Sequence, residues 1–370
     1  MMNRLILIGN GFDLALGLKT SYSDFMLWLI KDLLTSTLGT PRQYSNSIMY
    51  NAGFAENEFY RIGFRTEYSN VDYEVEINRI ENIELLNRFR EHYNVDFSFK
   101  NGLLSDLLKN FENKGWVDIE NEFYQNLKKE LNSKHHKIQH LNNQLNFITK
   151  KLEEYLLEID HLDIPNSRYF IGNVSSQFSE NIKKEDLLEK ELIDNDISPK
   201  KILFLSFNYT NCLFQITQSL SSYTQAELSW NYIHGELKSE KNPLIFGFGD
   251  EIDDDYSKIE KQNDNDFFEH IKSFRYSLTP NYHDLMRFID AENYQVFVYG
   301  HSCGLSDRTM LREIFEHDNC KSIKVFYHRR NDETDDFSEK VMEISRHFTD
   351  KGVMRRKIVD KTKCKPLPQN

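Results

Sequence analysis

Four short clusters carry residue types that can hold or cleave a polar ligand. The first is Gly9-Asn10-Gly11, with Asp13 two residues on. A glycine pair between a strand and a helix lets backbone approach a phosphate closely and aims helix N–H groups at it. The second is Ser206-Phe207-Asn208-Tyr209-Thr210-Asn211, where a carboxamide can orient a ribose, an amide or a water. The third is His234-Gly235; an imidazole titrates near neutral pH and can act as a general base. The fourth is Tyr299-Gly300-His301-Ser302-Cys303-Gly304-Leu305-Ser306-Asp307. There Gly300, His301 and Ser302 can contact a phosphate or a ribose, and Ser306 or Asp307 can cap the helix that follows.

Each cluster alone also has a plain structural reading: a tight turn, a capping cluster, a structural histidine. The first is not a GxGxxG fingerprint, because Leu14 stands where the third glycine belongs, and no GK[ST] follows it. Gly-His-Ser-Cys-Gly is close to the GxSxG nucleophile elbow. A serine hydrolase would need His328 or His347 and an acid to complete a triad, and would leave the other clusters unexplained. A metal-dependent nuclease would draw on the acidic residues of 118–122 or 250–255. Cys212, Cys303, Cys320 and Cys364 form no CxxC pair, so no metal site is expected and a reduced, cytoplasmic protein is.

The elements that must position these clusters follow from hydrophobic pattern. Leu5–Ile8 is a short apolar run ending in the first glycine, which predicts a strand buried on both faces. The runs 202–207, 244–248, 296–299 and 323–327 predict further strands, with helices at 308–316 and around 336–348. Strands alternating with helices imply a parallel sheet. Between residues 35 and 200 the pattern is helical. Ile138, Leu141, Leu145, Ile148, Leu152, Leu156 and Ile159 recur at spacings of three and four, a long amphipathic helix whose stripe offers a homo-oligomer contact. A second stretch runs from Trp116 through Ile119, Phe123, Leu127 and Leu131. Segments 162–182 and 250–269 read as loops, and the basic C-terminal residues as a surface strand with a frayed end.

The 370 residues include 27 Phe, 19 Tyr and 3 Trp but five Ala, so rings must fill much of the core. The net charge of −12 disfavours broad binding to nucleic acid, which needs a basic surface. No apolar run approaches a membrane span.

Together the motifs resemble the AbiH family of bacterial phage abortive-infection proteins. The residues that carry this are GNGFDLALGLKTSYSDF at 9–25, WVDIENEF at 116–123, SFNYTN at 206–211, HG at 234–235, IFGFGD at 245–250 and YGHSCGLSD at 299–307. Their order is also similar to a sirtuin-type NAD site. Gly9-Asn10-Gly11 stands for the first glycine loop, Gly17-Leu18-Lys19 for the following turn, and Gly300-His301-Ser302 for the Gly-x-Ser loop. Asn208 and His234 fall on the catalytic pair. The resemblance implies a Rossmann-like sheet with NAD across its strand ends, and cleavage of the ribosyl–nicotinamide bond. It departs in lacking a zinc ribbon and in placing Asp13 where such loops often carry Ser.

The expectation is an α/β protein: a Rossmann-like, mostly parallel sheet from residues 1–34 and 200–370, with an α-helical insertion at 35–199. Asn208 and His234 would be catalytic. Gly9, Asn10, Gly11, Asp13, Gly300, His301, Ser302 and Asp307 would hold the nucleotide, and Asp118 or Glu120 would contribute from the insertion. NAD is then the substrate and no cofactor is required. A nucleotide sensor that recruits a partner is the competing class. Neither the phage trigger nor the oligomeric state is legible in the sequence.

Overall fold

The computed structural model describes residues 2–38, 51–66, 71–115, 118–133, 137–160, 168–218 and 220–369. The chain begins β1 (Asn3–Ile8), α1 (Asn10–Ala15), α2 (Tyr22–Leu38), β2 (Asn51–Glu56), β3 (Tyr60–Thr66), α3 (Tyr73–Asn78), α4 (Ile83–His92) and β4 (Val95–Phe99). It continues α5 (Leu103–Lys114), α6 (Ile119–Leu131), α7 (Ile138–Asp160), α8 (Arg168–Phe178), β5 (Lys201–Ser206), α9 (Cys212–Thr217), β6 (Glu227–Tyr232) and α10 (Asp254–Glu260). It closes with α11 (Lys272–Arg275), α12 (Asn281–Ala291), β7 (Tyr294–Tyr299), α13 (Arg308–Glu316), β8 (Cys320–Phe326), α14 (Phe337–Ser345) and α15 (Lys351–Lys357).

The chain divides into two compact units, Met1–Thr20 with Leu156–Asn370, and Ser21–Tyr155. The first holds a five-stranded parallel sheet in the order β6-β5-β1-β7-β8. From β1 the chain steps outward to β5 and β6, then crosses to β7 and β8 on the other side. This is the α/β Rossmann-like arrangement, and it puts a topological switch point between β1 and β7. β1 and β7 are buried along their whole length, as expected of central strands covered on both faces. Rings do fill the core: Phe178 packs on Phe12, Phe204 and Tyr299 with centroids 6.4, 5.1 and 4.7 Å away.

One sheet face carries a buried ionic cluster. Arg4 Nη1 donates to the Phe178 carbonyl at 3.0 Å and Nη2 to Gln295 Oε1 at 3.1 Å. Lys324 Nζ lies 3.0 Å from both Glu180 and Asp186. Burial lowers the Arg4 pKa to about 9 against the pull of those two carboxylates. The cluster anchors the segment after α8 to the strands.

The second unit contains helices and a three-stranded antiparallel sheet, β2-β3-β4. The expectation of an all-helical insertion is corrected by this sheet. β4 shows the cause: Val95, Phe97 and Phe99 alternate with exposed residues over only five positions, a signal too short to stand out among helices. α6 and α7 occupy the two expected amphipathic stretches; Trp116 lies outside the described residues.

Other expectations are corrected. The run 244–248 is no strand: it is a buried loop in which Ile245 N–H donates to the His234 carbonyl at 2.8 Å and Phe248 N–H to the His270 carbonyl at 3.1 Å. The third strand on that side is β6, an edge strand with a half-exposed, mixed pattern. Residues 168–178 are helical, not loop, although 161–167 lie outside the described residues. The acidic stretch 250–269 contains α10, capped by Asp253, whose side chain accepts from Asp255 N–H at 3.0 Å. The basic C-terminal region contains α15, beyond which Ile358 and Pro366 bridge to β8 and its end at Ile323 and Tyr327. Among the described residues no helix is long and apolar enough to cross a membrane. All four cysteines are free and buried.

Candidate active site at the strand ends

All four clusters follow the C-terminal ends of parallel strands: β1, β5, β6 and β7. In open α/β sheets this is the edge that takes ligands. The loops after β1 and β7 meet first. Gly11 N–H donates to the Gly300 carbonyl at 2.9 Å, and Gly9 N–H to the Tyr299 carbonyl at 3.4 Å. Gly300 has φ +75, and a Cβ built on it would stand 2.3 Å from the Phe12 nitrogen. The glycines therefore let two backbones interlock at the switch point. Gly300→Ala combines left-handed strain with overpacking and should cost roughly 2–5 kcal/mol of stability in urea unfolding. A variant as stable as the parent would show that the loops do not meet this closely.

Asn10 is exposed, and it closes its own loop by exchanging hydrogen bonds with Thr20 at 3.0 and 2.5 Å. Asp13 instead is buried. Its Oδ1 accepts from Asn208 Nδ2 at 2.9 Å and its Oδ2 from Thr210 Oγ1 at 2.6 Å. Burial raises its pKa to about 7, although both hydrogen bonds oppose the rise. Asn208 Nδ2 also donates to the Gly9 carbonyl at 3.1 Å. The first two clusters are thus joined side chain to side chain.

The third and fourth are joined as well. His234 Nε2 lies 3.0 Å from Asp307 Oδ1, and the hydroxyl of Tyr276 is 3.4 Å from the same nitrogen. The Phe207 backbone beside the ring favours its charged form. Burial, with help from the Lys272 charge, lowers the His234 pKa, so the ring is neutral at neutral pH although Asp307 pulls the other way. His301 Nδ1 accepts from Cys303 N–H at 2.9 Å, which puts its proton on Nε2, 3.8 Å from Asp307 Oδ2. Burial pushes its pKa down to about 3. Phe207 lies against both imidazoles, with centroids 5.1 and 4.1 Å away. Cys303, whose N–H meets His301, has φ +57, an uncommon conformation for a side-chain-bearing residue.

Asp307 occupies the N-cap position of α13 but makes no side-chain cap. Its carboxylate turns inward, where Lys272 Nζ donates to Oδ1 at 2.8 Å. Burial alone would raise its pKa; the charge of Lys272, joined by the contact with His234, outweighs this and holds it well below the usual carboxylate range. Lys272 is fully buried. Sequence reasoning missed it, since a buried lysine in a short helix has no local signature. It also missed Thr210 as a partner of Asp13, although that residue lies inside the SFNYTN motif.

The remaining candidates have local partners. Ser302 is exposed, and its Oγ accepts from Gly304 N–H at 3.4 Å. His347 Nε2 donates to the Cys303 carbonyl at 2.8 Å, so that imidazole is not presented to Ser302. Asp118 caps α6 by accepting from Asn121 N–H at 3.0 Å, and Glu120 is buried in its first turn. The IFGFGD motif braces the fourth cluster: the Gly249 carbonyl accepts from Thr309 N–H at 3.2 Å, and Arg308 Nη1 donates to Asp250 Oδ2 at 3.1 Å. Among the described residues no group of three or more His, Cys, Asp or Glu side chains is arranged to hold a metal ion.

The strand-end edge therefore gathers a buried carboxylate near neutrality, an oriented carboxamide and an Asp–His pair. Strongly perturbed titratable groups concentrate at functional sites. Comparison with curated proteins finds no match. The family model described as Bacteriophage abortive infection AbiH matches residues 5–328, and the chain belongs to that family, which serves phage defence by abortive infection.

Proposed function

We propose that the strand-end site hydrolyses NAD, or a related nucleotide, at the ribosyl–nicotinamide bond, and that the loss of NAD stops phage growth by stopping the host. The observation that carries this reading is the Asp13–Asn208 hydrogen bond of 2.9 Å beside the His234–Asp307 pair of 3.0 Å, on neighbouring strand ends. Both residues of the pair implied by the sirtuin-type resemblance thereby acquire buried carboxylate partners.

In the reaction the bond from C1′ to the nicotinamide nitrogen breaks, and its electrons leave with nicotinamide. The oxygen of a water bonds to C1′, giving ADP-ribose, and the water gives up a proton. Charge develops at an oxocarbenium-like C1′, which fixed dipoles stabilise best where bulk water is excluded. Asn208 orients the water or the ribose. With Nε2 donating its proton to Asp307 Oδ1, His234 takes the proton of the water at Nδ1, while Asp307 holds the ring. The loops around Gly9, Asn10, Gly11, Gly300, His301 and Ser302 flank phosphate and ribose.

One observation favours the second reading, a nucleotide sensor: His234 is buried and its Nε2 is committed to Asp307. Purified protein incubated with NAD separates the two. Equal release of nicotinamide and ADP-ribose supports hydrolysis. Tight binding of NAD or ADP-ribose without release supports the sensor. Metal-dependent cleavage of RNA or DNA with NAD untouched would contradict both.

A further inference from the structure

We infer that Asp13 is the positioning residue of Asn208, and that the pair presents the carboxamide oxygen, an acceptor only, to the ligand. A carboxamide has two N–H donors and one carbonyl. Both donors of Asn208 are committed, to the Gly9 carbonyl at 3.1 Å and to Asp13 Oδ1 at 2.9 Å. The flipped rotamer would set the carbonyl against those two acceptors, so the orientation is fixed by chemistry. The backbone of Asn208 is fixed too, by Ser206 Oγ 3.3 Å from its N–H. What remains for a ligand is the carbonyl oxygen. A phosphate, which brings acceptors alone at neutral pH, is the wrong partner for it. A ribose hydroxyl or a water is the right one.

Thr210 completes the latch by donating to Asp13 Oδ2 at 2.6 Å. Each carboxylate oxygen thus receives one donor from the loop after β5. The other titratable groups that act on Asp13 or feel it are Asp160 of α7 and Cys212 of α9. A protonated Asp13 turns one of these acceptors into a donor and loosens the latch. The active form is the ionised one, so activity rises as pH increases through the Asp13 midpoint near 7. A raised folded-state pKa means that the native state binds the proton more tightly than the unfolded chain. Asp13 therefore favours the fold at low pH, and that contribution is lost as pH rises from the unfolded value of about 4 through 7. Asp13→Asn removes the buried charge and should melt no lower than the parent at alkaline pH.

For catalysis the inference rests on the NAD-cleaving reading; for geometry it does not. The direct test is NMR of the Asn208 side-chain amide in asparagine-labelled protein. Its two N–H resonances should titrate with a midpoint near 7, and Asp13→Asn should abolish that titration. Thr210→Val should move the midpoint upward. Resonances unmoved by pH and by Asp13→Asn would overturn the latch, whether or not NAD is cleaved. If the parent releases nicotinamide, Asp13→Asn should lower kcat at least about 100-fold with little change in KM. A variant with parental kcat and pH profile would overturn the positioning role. A parent that releases none overturns the catalytic reading alone, and the amide titration still decides the latch.

Discussion

Asp307→Ala should destabilise the fold by about 3–5 kcal/mol, because it breaks the buried ion pair with Lys272. Lys272 is fully buried, and its Nζ lies 2.8 Å from Asp307 Oδ1. An ion pair out of water contributes little net stability, since desolvation offsets attraction. Removing one partner leaves the full desolvation penalty of the other. Domains are stable by only about 5–15 kcal/mol, so the loss is a large share of the total. Lys272→Met in the Asp307→Ala background removes the remaining buried ammonium and should recover most of it. Urea unfolding of the parent, the two single variants and the double variant completes the cycle. A double variant no more stable than Asp307→Ala would mean that Lys272 finds other partners at no penalty. The cycle also separates fold from chemistry, since the double variant restores stability but leaves His234 without its carboxylate.

His234→Ala should lower the rate of nicotinamide release by about 100- to 10,000-fold, the usual contribution of a general base. Asn208→Ala should lower it by about 100- to 1,000-fold, as expected when one preorganised dipole is lost. Neither should unfold the protein. His234→Ala leaves Asp307 paired with Lys272, and Asn208→Ala leaves Asp13 the donor of Thr210. The double variant should be little worse than the weaker single one, because groups that act as a unit are not additive. Burial depresses the His234 pKa below its ordinary value, so the imidazole stays in its base form somewhat below pH 6.5. Activity lost between neutral and mildly acidic pH should then follow Asp13, not His234. Release at the parental rate in His234→Ala, with unchanged melting, would remove the imidazole from the reaction.

Much of this was legible in the sequence, for definite reasons. β1, β5, β7 and β8 are short apolar runs that end in glycine or polar clusters, and central strands of a parallel sheet produce that pattern. β6 escaped because an edge strand with Glu227, Ser229 and Asn231 does not look apolar. The run 244–248 misled because burial of apolar side chains does not require a strand. Asn208, His234 and Asp13 could be named, since glycine turns and polar clusters at strand ends stand out. Their partners could not. Asp13 and Asn208 are 195 residues apart, His234 and Asp307 73 apart, and no local periodicity encodes a contact across strands. The inward turn of Asp307 was hidden by a plausible capping position. Lys272 was invisible because nothing in a four-residue helix announces a buried charge.

The central claim is that the polar cluster beyond β1, β5 and β6 is where the nucleotide sits. A crystal structure of His234→Ala grown with NAD tests it most directly. The expected result is a nucleotide across these strand ends, with a ribose hydroxyl or a water within hydrogen-bonding distance of Asn208 Oδ1. A nucleotide bound elsewhere, or a phosphate against that oxygen, would contradict it.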